Sequence, residues 1–405
     1  MLSDRKQCTG CGACAAACAH GAIFMQADEL GFQYPVINQK NCIKCGVCQK
    51  KCPVMNINCK QDVFQETTNI YAAWSKDKKL QKQSSSGGIF GELSKDILDD
   101  GGVVFGAAYN ESLELHHIAV FSVEDLPKLL GSKYVQSNIG NCYTQVKKYL
   151  AENKKVLFSG TPCQISGLYA FLNNNNSENL FTVEILCHGV PSPEIFKQYL
   201  KYISKSHLHG EVVKEYSFRN KKCGWKNFCT QARSDRHTYR RFFYEDNFMH
   251  GFLKNYYLRE SCYQCQYAIP QRYADITLGD FWGYEQFDYP KFNYDRGASI
   301  VICSTMKGNE LFSGINNRIY CRTVPFDDCA AYNTVLTHPC KMPEDRNKIL
   351  NIFHEKGLVE MLGQFQIPPR PISVKILSLF GKLPYHFINE VLPKVKRRLT
   401  GKRRS

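Results

Sequence analysis

Eight of the twenty cysteines lie in two runs of one pattern, "CTGCGACAAACAH" at residues 8–20 and "CIKCGVCQKKCPV" at residues 42–54. A Cys-x2-Cys-x2-Cys loop supplies three thiolates to one 4Fe-4S cluster, and the fourth cysteine of each run serves the other cluster. The duplication therefore predicts two clusters. Their ligand sets are Cys8, Cys11, Cys14 and Cys52 for one, and Cys42, Cys45, Cys48 and Cys18 for the other.

This pattern resembles the bacterial two-cluster ferredoxins, and the predicted domain covers residues 1–62. Ala19 stands where the second run has Pro53, a departure that removes no ligand. A pair of structural zinc sites is the alternative, but such sites are usually built from separated Cys-x2-Cys pairs. Cys59 lies outside the pattern and is predicted to be a free thiol.

The composition limits where such a protein works. In 405 residues, 43% hydrophobic side chains are enough for the cores of two or three domains. No run of eighteen apolar residues occurs, and the first twenty residues carry cysteines where a signal peptide needs its apolar core. We therefore expect a cytoplasmic protein, in which closely spaced cysteines indicate metal binding rather than disulfides.

The net charge of +15 is concentrated at one end. The amphipathic and basic tail, residues 365–405, closes with "KVKRRLTGKRRS", which holds seven Lys or Arg and no acid. Two interpretations stay open: a solvated chain end, or contact with an anionic membrane surface, which would make the protein peripheral at the inner face. Nucleic acid is a weaker alternative, because no nucleic-acid-binding motif accompanies the charge.

Beyond the cysteine runs the pattern predicts an α/β domain. "IYAAWS" and "VVFGAAY" have the composition of strands, and a helical repeat from Ile89 to Leu98 lies between them. Two strand–loop–helix units follow, "KVLFSG" into "TPCQISGLYAFL" and "LFTVEILC" into "HGVPSPEIFKQYL". Cys163 and Cys187 thus follow the carboxyl ends of strands, where open α/β sheets bind ligands.

A third cluster is predicted from four further cysteines. Cys262 and Cys265 form a Cys-x2-Cys pair that can close a site begun by Cys163 and Cys187. Cys223, in "KKCGWKNF", is the rival fourth ligand. The other cysteines are predicted to be single core or surface thiols: Cys142, Cys229, Cys303, Cys321, Cys329 and Cys340.

Several enzyme classes lack support in the sequence. No Gly-x-Gly-x-x-Gly opens a strand–helix unit, since the near match "GCGACA" belongs to the first cysteine run. No Walker loop and no His-Glu-x-x-His occurs. Nicotinamide binding by a Rossmann domain, kinase chemistry and zinc-protease chemistry are therefore unsupported.

Four stretches together resemble the beta subunit of coenzyme F-420-reducing hydrogenase and its dehydrogenase relatives. They are "SSSGGIF" at 84–90, "LLGSKYVQS" at 129–137, "SGTPCQISGL" at 159–168 with "CHGVPSP" at 187–193, and "ADITLGDFWG" at 274–283. The resemblance covers about residues 68–340. It places an N-terminal family domain at 68–150 and a C-terminal one at 151–345.

The resemblance implies FAD beside a 4Fe-4S cluster, and hence an α+β ferredoxin-like N-terminal domain followed by an α/β flavin and iron–sulfur domain. The Gly87–Gly88 turn before a helix offers backbone N–H groups to a flavin pyrophosphate. Lys133 would place a charge near the flavin. The predicted cofactor-binding residues are Ser85, Ser86, Gly87, Gly88, Lys133, Tyr134, Thr161 and Pro162; no catalytic residue is identified.

The function expected from these features is that of an iron–sulfur flavoprotein oxidoreductase. FAD would link the one-electron clusters to a two-electron acceptor or donor. In relatives that partner is the deazaflavin coenzyme or a pigment, and similar bacterial chains accompany surface-polysaccharide genes. The redox partner is thus either a protein or a small-molecule substrate. A non-catalytic ferredoxin-type carrier subunit and a glycan-synthesis scaffold are the alternatives.

Overall fold

The computed structural model of this chain describes residues 3–56, 68–174, 177–287 and 296–367. Cys59 and the predicted tail beyond residue 367 lie outside these ranges, as does the side chain of Cys223. The N-terminal region has two short helices, α1 (Ala13–Ala16) and α2 (Val47–Lys50). They flank an antiparallel hairpin of β1 (Ile23–Ala27) and β2 (Gln33–Ile37).

Both short helices begin after a glycine in the left-handed region. Gly12 has a φ of 78° and Gly46 a φ of 73°, a conformation that residues with a Cβ rarely adopt. Each glycine lies between the second and third cysteine of its run. The duplicated sequence therefore folds into a duplicated loop-and-helix unit.

The larger region alternates strands and helices. Its strands in the described residues are β3 Asn69–Ser75, β4 Val103–Tyr109, β5 Leu115–Val120, β6 Val156–Gly160, β7 Leu180–Ile185, β8 Glu215–Asn220, β9 Cys229–Arg233, β10 Thr238–Phe242, β11 Ile276–Asp280, β12 Ser299–Cys303 and β13 Ile319–Thr323. Its helices there are α3 Lys78–Gln83, α4 Ile89–Asp99, α5 Cys142–Ala151, α6 Pro162–Phe171, α7 Pro193–His207, α8 Asn247–Leu253, α9 Met306–Gly314, α10 Phe326–Ala330, α11 Arg346–Lys356 and α12 Leu358–Gly363.

Eight strands form one mixed sheet in the order β13-β3-β12-β11-β7-β6-β4-β5. The central strands β4, β6, β7 and β11 are parallel, and the outer pairs are antiparallel. The expected α/β class is confirmed, and its sheet is large and mixed. Strands from both predicted family segments, 68–150 and 151–345, contribute to it, so the boundary at residue 150 does not separate two sheets.

Alternating side chains of the central strands face two helix layers. In β4, Val104 and Ala108 pack in the same core as α4, whereas Val103 and Phe105 pack with α5 and α6. The α4 contribution is a helical stripe of Ile89, Leu93, Ile97 and Leu98. Each such side chain contributes about 1.5–3 kcal/mol when it is fully buried. The sheet is therefore covered on both faces.

A second core lies beside the sheet. Helix α7 begins at the N-cap Ser192, whose hydroxyl accepts the N–H of Ile195 at 3.1 Å. Its apolar side packs with α8, α11, α12 and the antiparallel sheet β10-β9-β8. No helix in the described part of the chain is long and apolar enough to cross a membrane.

Buried polar pairs fix β7 against β11, the strands that lead into the predicted ligand loops. The Asp275 carboxylate accepts the N–H and the hydroxyl of Thr182, both at 2.8 Å. Glu184 pairs with Arg272 at 2.6 Å, and both side chains are at most 1% exposed. The pair satisfies two charges that would otherwise be costly to bury.

Helix α9 packs so closely on β11 that one of its glycines has no room for a side chain. A Cβ at Gly308 would overlap the carbonyl oxygen of Asp275. We expect Gly308→Ala to lower the free energy of unfolding by about 1–3 kcal/mol. Gly314→Ala, in the same helix, is the control, because its Cβ would lie 3.8 Å from Asp96 Oδ2. Urea unfolding should separate the two variants, and equal midpoints would contradict this packing.

Candidate functional site

The structure gathers one predicted ligand set around a small cavity, here called the inner cavity. It is lined by Cys8, Cys11, Cys14 and Cys52, so the fourth cysteine comes from the second run as predicted. Burial and, to a smaller extent, the charges of Cys8 and Cys52 together raise the pKa of Cys14 to about 12. Thiolates so close together need a bound cation to stay ionised, which fits an iron–sulfur cluster.

The other predicted set, here called the outer set, is more exposed. Cys45 is exposed, and Cys18, Cys42 and Cys48 are partly buried. The Ala22 N–H donates to Cys18 Sγ at 3.3 Å. Three of its members, Cys42, Cys45 and Cys48, belong to the second run, whereas helix α1 of the first run contacts α5 and α6 of the large sheet domain.

A second cysteine-lined space, here called the cysteine cavity, lies at the carboxyl ends of β6 and β7. All four cysteines predicted for a third cluster line it: Cys163, Cys187, Cys262 and Cys265. Cys340, predicted as a single thiol, lines it too. Within the described residues no three His, Cys, Asp or Glu side chains converge closely enough for a single metal ion.

Local structure explains how these cysteines meet. Thr161 caps α6 through a capping box with Gln164, which places Cys163 in the first turn. The Thr161 hydroxyl lies 3.1 Å from Cys163 Sγ. Cys187 lies two residues after the end of β7, and Cys262 lies in a 3-10 turn, Glu260–Gln264. The N-terminal end of α6 favours negative charge at Cys163.

The inner cavity and the cysteine cavity are neighbours. Thr9 lines both of them. Helix α6 presents Gly167 to Cys11, and a Cβ at this glycine would lie 3.1 Å from Cys11 Sγ. Burial raises the pKa of Cys11, and a charge on Cys163 raises it further. One helix thus connects the two sets of thiols.

A large cleft opens on the other side of the cysteine cavity. Its volume is about 740 Å³, and Cys163 and Cys187 line both spaces. The predicted cofactor-binding residues that line it are Ser85, Ser86, Gly88, Lys133, Tyr134 and Thr161. Two predicted residues do not. Pro162 lines the cysteine cavity instead, and Gly87 is packed against Ala73, where its N–H donates to Ser299 Oγ at 2.9 Å.

Lysines support the loops around this cleft. Lys133 donates to three backbone carbonyls, those of Leu129, Leu130 and Gly131. Lys221 donates to carbonyls too, including that of Ser86 in the predicted flavin loop. Burial lowers the pKa of Lys133 to about 7, and burial followed by the Arg219 charge lowers the pKa of Lys221 to about 7. An anion bound beside them would raise both pKa values.

Arg219 and Asp280 form the floor of the same cleft. Two N–H···O bonds of 2.8 and 3.1 Å join them, and Trp225 Nε1 donates to the same carboxylate at 3.0 Å. Arg219 also donates to the Ser85 carbonyl at 3.2 Å. Burial alone would lower the pKa of Arg219, but the Asp280 charge raises it above the usual value. Asp280 thus holds an arginine under the predicted flavin loop.

Sequence reasoning missed Arg219, Lys221 and Cys340 as members of these sites. The basic stretch "FRNKKCGW" was the available signal for the first two, since its charges fall at the end of a strand. Nothing in "THPCKMP" distinguishes Cys340 from an ordinary thiol. Its position depends on a contact across 75 or more residues, which spacing cannot reveal.

Comparison with known proteins agrees with this geometry. Residues 7–56 match the model of the 4Fe-4S dicluster domain, and residues 153–328 match that of the C terminus of the coenzyme F420 hydrogenase/dehydrogenase beta subunit. Residues 153–328 are thus similar to that beta-subunit family, as the sequence indicated. The predicted ferredoxin domain is likewise confirmed, and the beta-subunit segment includes Cys163, Cys187, Cys262 and Cys265.

Two curated relatives match part of the chain. A subunit of the F(420)H(2) dehydrogenase of Methanosarcina mazei is 23% identical over 208 residues, 48% of this chain and 58% of the relative. An uncharacterized protein of Methanocaldococcus jannaschii is 25% identical over 200 residues, 43% of this chain and 55% of the relative. The chain thus spans a little over half the length of these relatives.

Among solved structures, a chain of the F420-reducing NiFe hydrogenase complex from Methanosarcina barkeri is similar with a TM-score of 0.46 and 18% identity. The match covers 68% of this chain and 90% of that chain.

The Arg219–Asp280 pair in the beta-subunit segment gives a stability prediction. Arg219 is 2% exposed, so Asp280→Asn leaves a buried charge without its partner and should cost about 3–5 kcal/mol. Asp235→Asn is the control, because the Lys214–Asp235 pair is 61% and 67% exposed and should contribute at most about 1 kcal/mol. Urea unfolding midpoints measure both, and equally small losses would refute the pair's structural role.

Proposed function

We propose that this protein is an iron–sulfur flavoprotein oxidoreductase with electrons passing between the ferredoxin domain and FAD through a third cluster. The observation that supports the proposal is the series of three adjoining spaces. The inner cavity adjoins the cysteine cavity, which in turn shares Cys163 and Cys187 with the large cleft. A protein that only carried electrons would have no use for the last space.

With 4Fe-4S clusters in the inner cavity and the cysteine cavity, and FAD in the large cleft, the clusters would supply one-electron steps. FAD would convert between single electrons and electron pairs. The chain's own groups hold the thiolate ends in place. Burial raises the pKa of Cys187, Cys262 and Cys265, and backbone hydrogen bonds at Gly189, Val190 and Tyr267, respectively, act against that rise. Such donors stabilise thiolates at a metal centre.

The large cleft fits a flavin by size and by charge. Its volume of about 740 Å³ lies in the usual range for cofactor pockets, roughly 300–1,000 Å³. Two buried polar atoms on its wall, Ser84 Oγ and Arg219 Nε, have no partner in the structure. These two atoms would offer hydrogen-bond donors to a diphosphate, which is the part of FAD that carries charge. The positive charges of Lys133 and Lys221, whose N–H groups donate to backbone carbonyls, would attract it.

The exchange partner is a further part of the proposal. The Methanosarcina mazei relative is named as part of an F(420)H(2) dehydrogenase, and this supports a two-electron small molecule here. The same name describes one subunit of an enzyme, which supports a redox partner protein and keeps the carrier-subunit alternative open. Surface polysaccharide synthesis and membrane contact through the tail stay predictions.

Iron content tests the third cluster. We expect full-length protein purified without oxygen to hold about twelve irons, and Cys265→Ala to hold about eight. Cys340→Ala is the matched control in the same cavity and should keep about twelve. A wild-type value near eight would mean that these cysteines are not ligands. Loss of iron in the Cys340 variant alone would replace Cys265 by Cys340 in the ligand set.

Flavin content tests the large cleft. Gly88 lines it with a φ of 90°, and a Cβ there would lie 3.4 Å from Ser75 Cβ, so Gly88→Leu should displace the loop that forms the cleft wall and reduce co-purified FAD at least tenfold. Gly101→Leu controls for backbone strain, because Gly101 has a φ of 74° with open space around it. Anaerobic flavin release and absorbance measure both. Wild-type protein without flavin after reconstitution would favour the carrier-subunit alternative.

A further inference from the structure

Arg259 is buried at the junction of the ferredoxin domain and the sheet domain. Its side chain has 1% of its surface exposed. The Nε group donates to the Cys8 carbonyl at 2.7 Å, Nη1 to Gln136 Oε1 at 2.9 Å and Nη2 to the Gln33 carbonyl at 3.1 Å. The guanidinium also lies 4.1 Å from the ring centroid of Tyr34. This arginine therefore connects the two domains.

All of these partners are neutral. Arg219 and Arg272, which are as deeply buried, each pair with a carboxylate. In the part of the chain that the structure describes, no Asp or Glu oxygen lies within 4 Å of the Arg259 guanidinium. A buried charge without a counter-charge is costly, and arginine is rarely relieved by losing its proton. The compensating anion is therefore to be sought in the neighbouring spaces.

Those spaces are lined by cysteines on both sides of Arg259. The residue itself lines the cysteine cavity, and its Nε partner Cys8 lines the inner cavity. Thiolates and the clusters they hold are anionic, so both cavities supply the negative charge that the arginine lacks.

We propose that Arg259 is a positioning residue that serves as the shared counter-cation of the inner ferredoxin cluster and the cluster in the cysteine cavity. The second half rests on the proposed function. A fixed positive charge stabilises the reduced, more negative form of a cluster and so raises its reduction potential. Because one charge acts on both clusters, it raises both potentials together. None of the hydrogen-bond partners of Arg259 belongs to the outer set. The reduction potential of the cluster held by the outer set should therefore not change when Arg259 is altered.

The test changes the charge in two independent ways in the full-length protein. Arg259→Gln removes it. Gln136→Glu neutralises the charge by placing a carboxylate where Nη1 now donates to an amide oxygen. This variant keeps the guanidinium group of Arg259. Two controls keep the charge: Arg259→Lys replaces the fork by a point charge, and Gln136→Ala removes only the hydrogen bonds of the amide. Redox titration followed by EPR gives the potentials, with signals assigned by comparison with Cys265→Ala.

We expect both charge-removing variants to lower the reduction potentials of the clusters in the inner cavity and the cysteine cavity by at least 59 mV. For a one-electron couple this corresponds to a tenfold change in the reduction equilibrium. The charge-keeping controls should stay near the wild type, and the outer cluster should be unchanged in all four. The iron content of each variant is measured together with its titration. If Arg259→Gln fails to fold, Gln136→Glu alone tests whether the charge sets the potentials.

The inference fails if both charge-removing variants hold full iron and wild-type potentials, or if Arg259→Lys shifts as far as Arg259→Gln. A different result identifies failure of the proposed function. An iron content of only about eight in the wild type would mean that the cysteine cavity holds no cluster. The potential of the cluster in the inner cavity would still show whether the Arg259 charge acts on it.

Discussion

The contact of Gly167 with Cys11 is the constraint on which the rest of the site depends. A Cβ at Gly167 would lie 2.9 Å from Cys11 Cβ and 2.8 Å from the Tyr143 hydroxyl, so only glycine lets the ferredoxin domain approach α6 this closely. At the other end of the helix, Lys51 donates to the Ala170 carbonyl at 2.7 Å. The helix thus has its first turn at the cysteine cavity and its last turn at the residue next to Cys52.

This placement sets the order of the three spaces. Because α6 follows β6 directly, Cys163 lies at the carboxyl edge of the parallel strands, where ligands bind in open α/β sheets. The same edge receives Cys187 from β7 and the large cleft beyond it. A domain docked elsewhere on the sheet would leave the ferredoxin thiols far from this edge. The order of the three spaces therefore follows from the topology of the sheet and from the close approach that Gly167 allows.

The sequence was informative where chemistry depends on local spacing. The two cysteine runs predicted the inner set, including the crossover of Cys52, because a tight loop fixes which thiols share a space. It was less informative where residues meet through the fold. Gly87 and Gly88 are adjacent, yet Gly87 packs under β3 and only Gly88 lines the cleft. Arg219 and Cys340 reach the site from distant segments, and no local pattern marks such contacts.

The distribution of positive charge joins these observations. The last twelve residues carry seven basic side chains, but several other cations lie inside the molecule, where composition alone would not place them. Arg219 and Arg272 have carboxylate partners, whereas Lys133, Lys221 and Arg259 donate mainly to carbonyls and amides. Lys133 lines the large cleft, Lys221 donates to the Ser86 carbonyl in the wall of that cleft, and Arg259 lines the cysteine cavity. The sequence predicts an anionic group for each of these two spaces, a diphosphate or a thiolate cluster. Part of the net charge of +15 therefore lies in the interior, where the proposed cofactors would balance it.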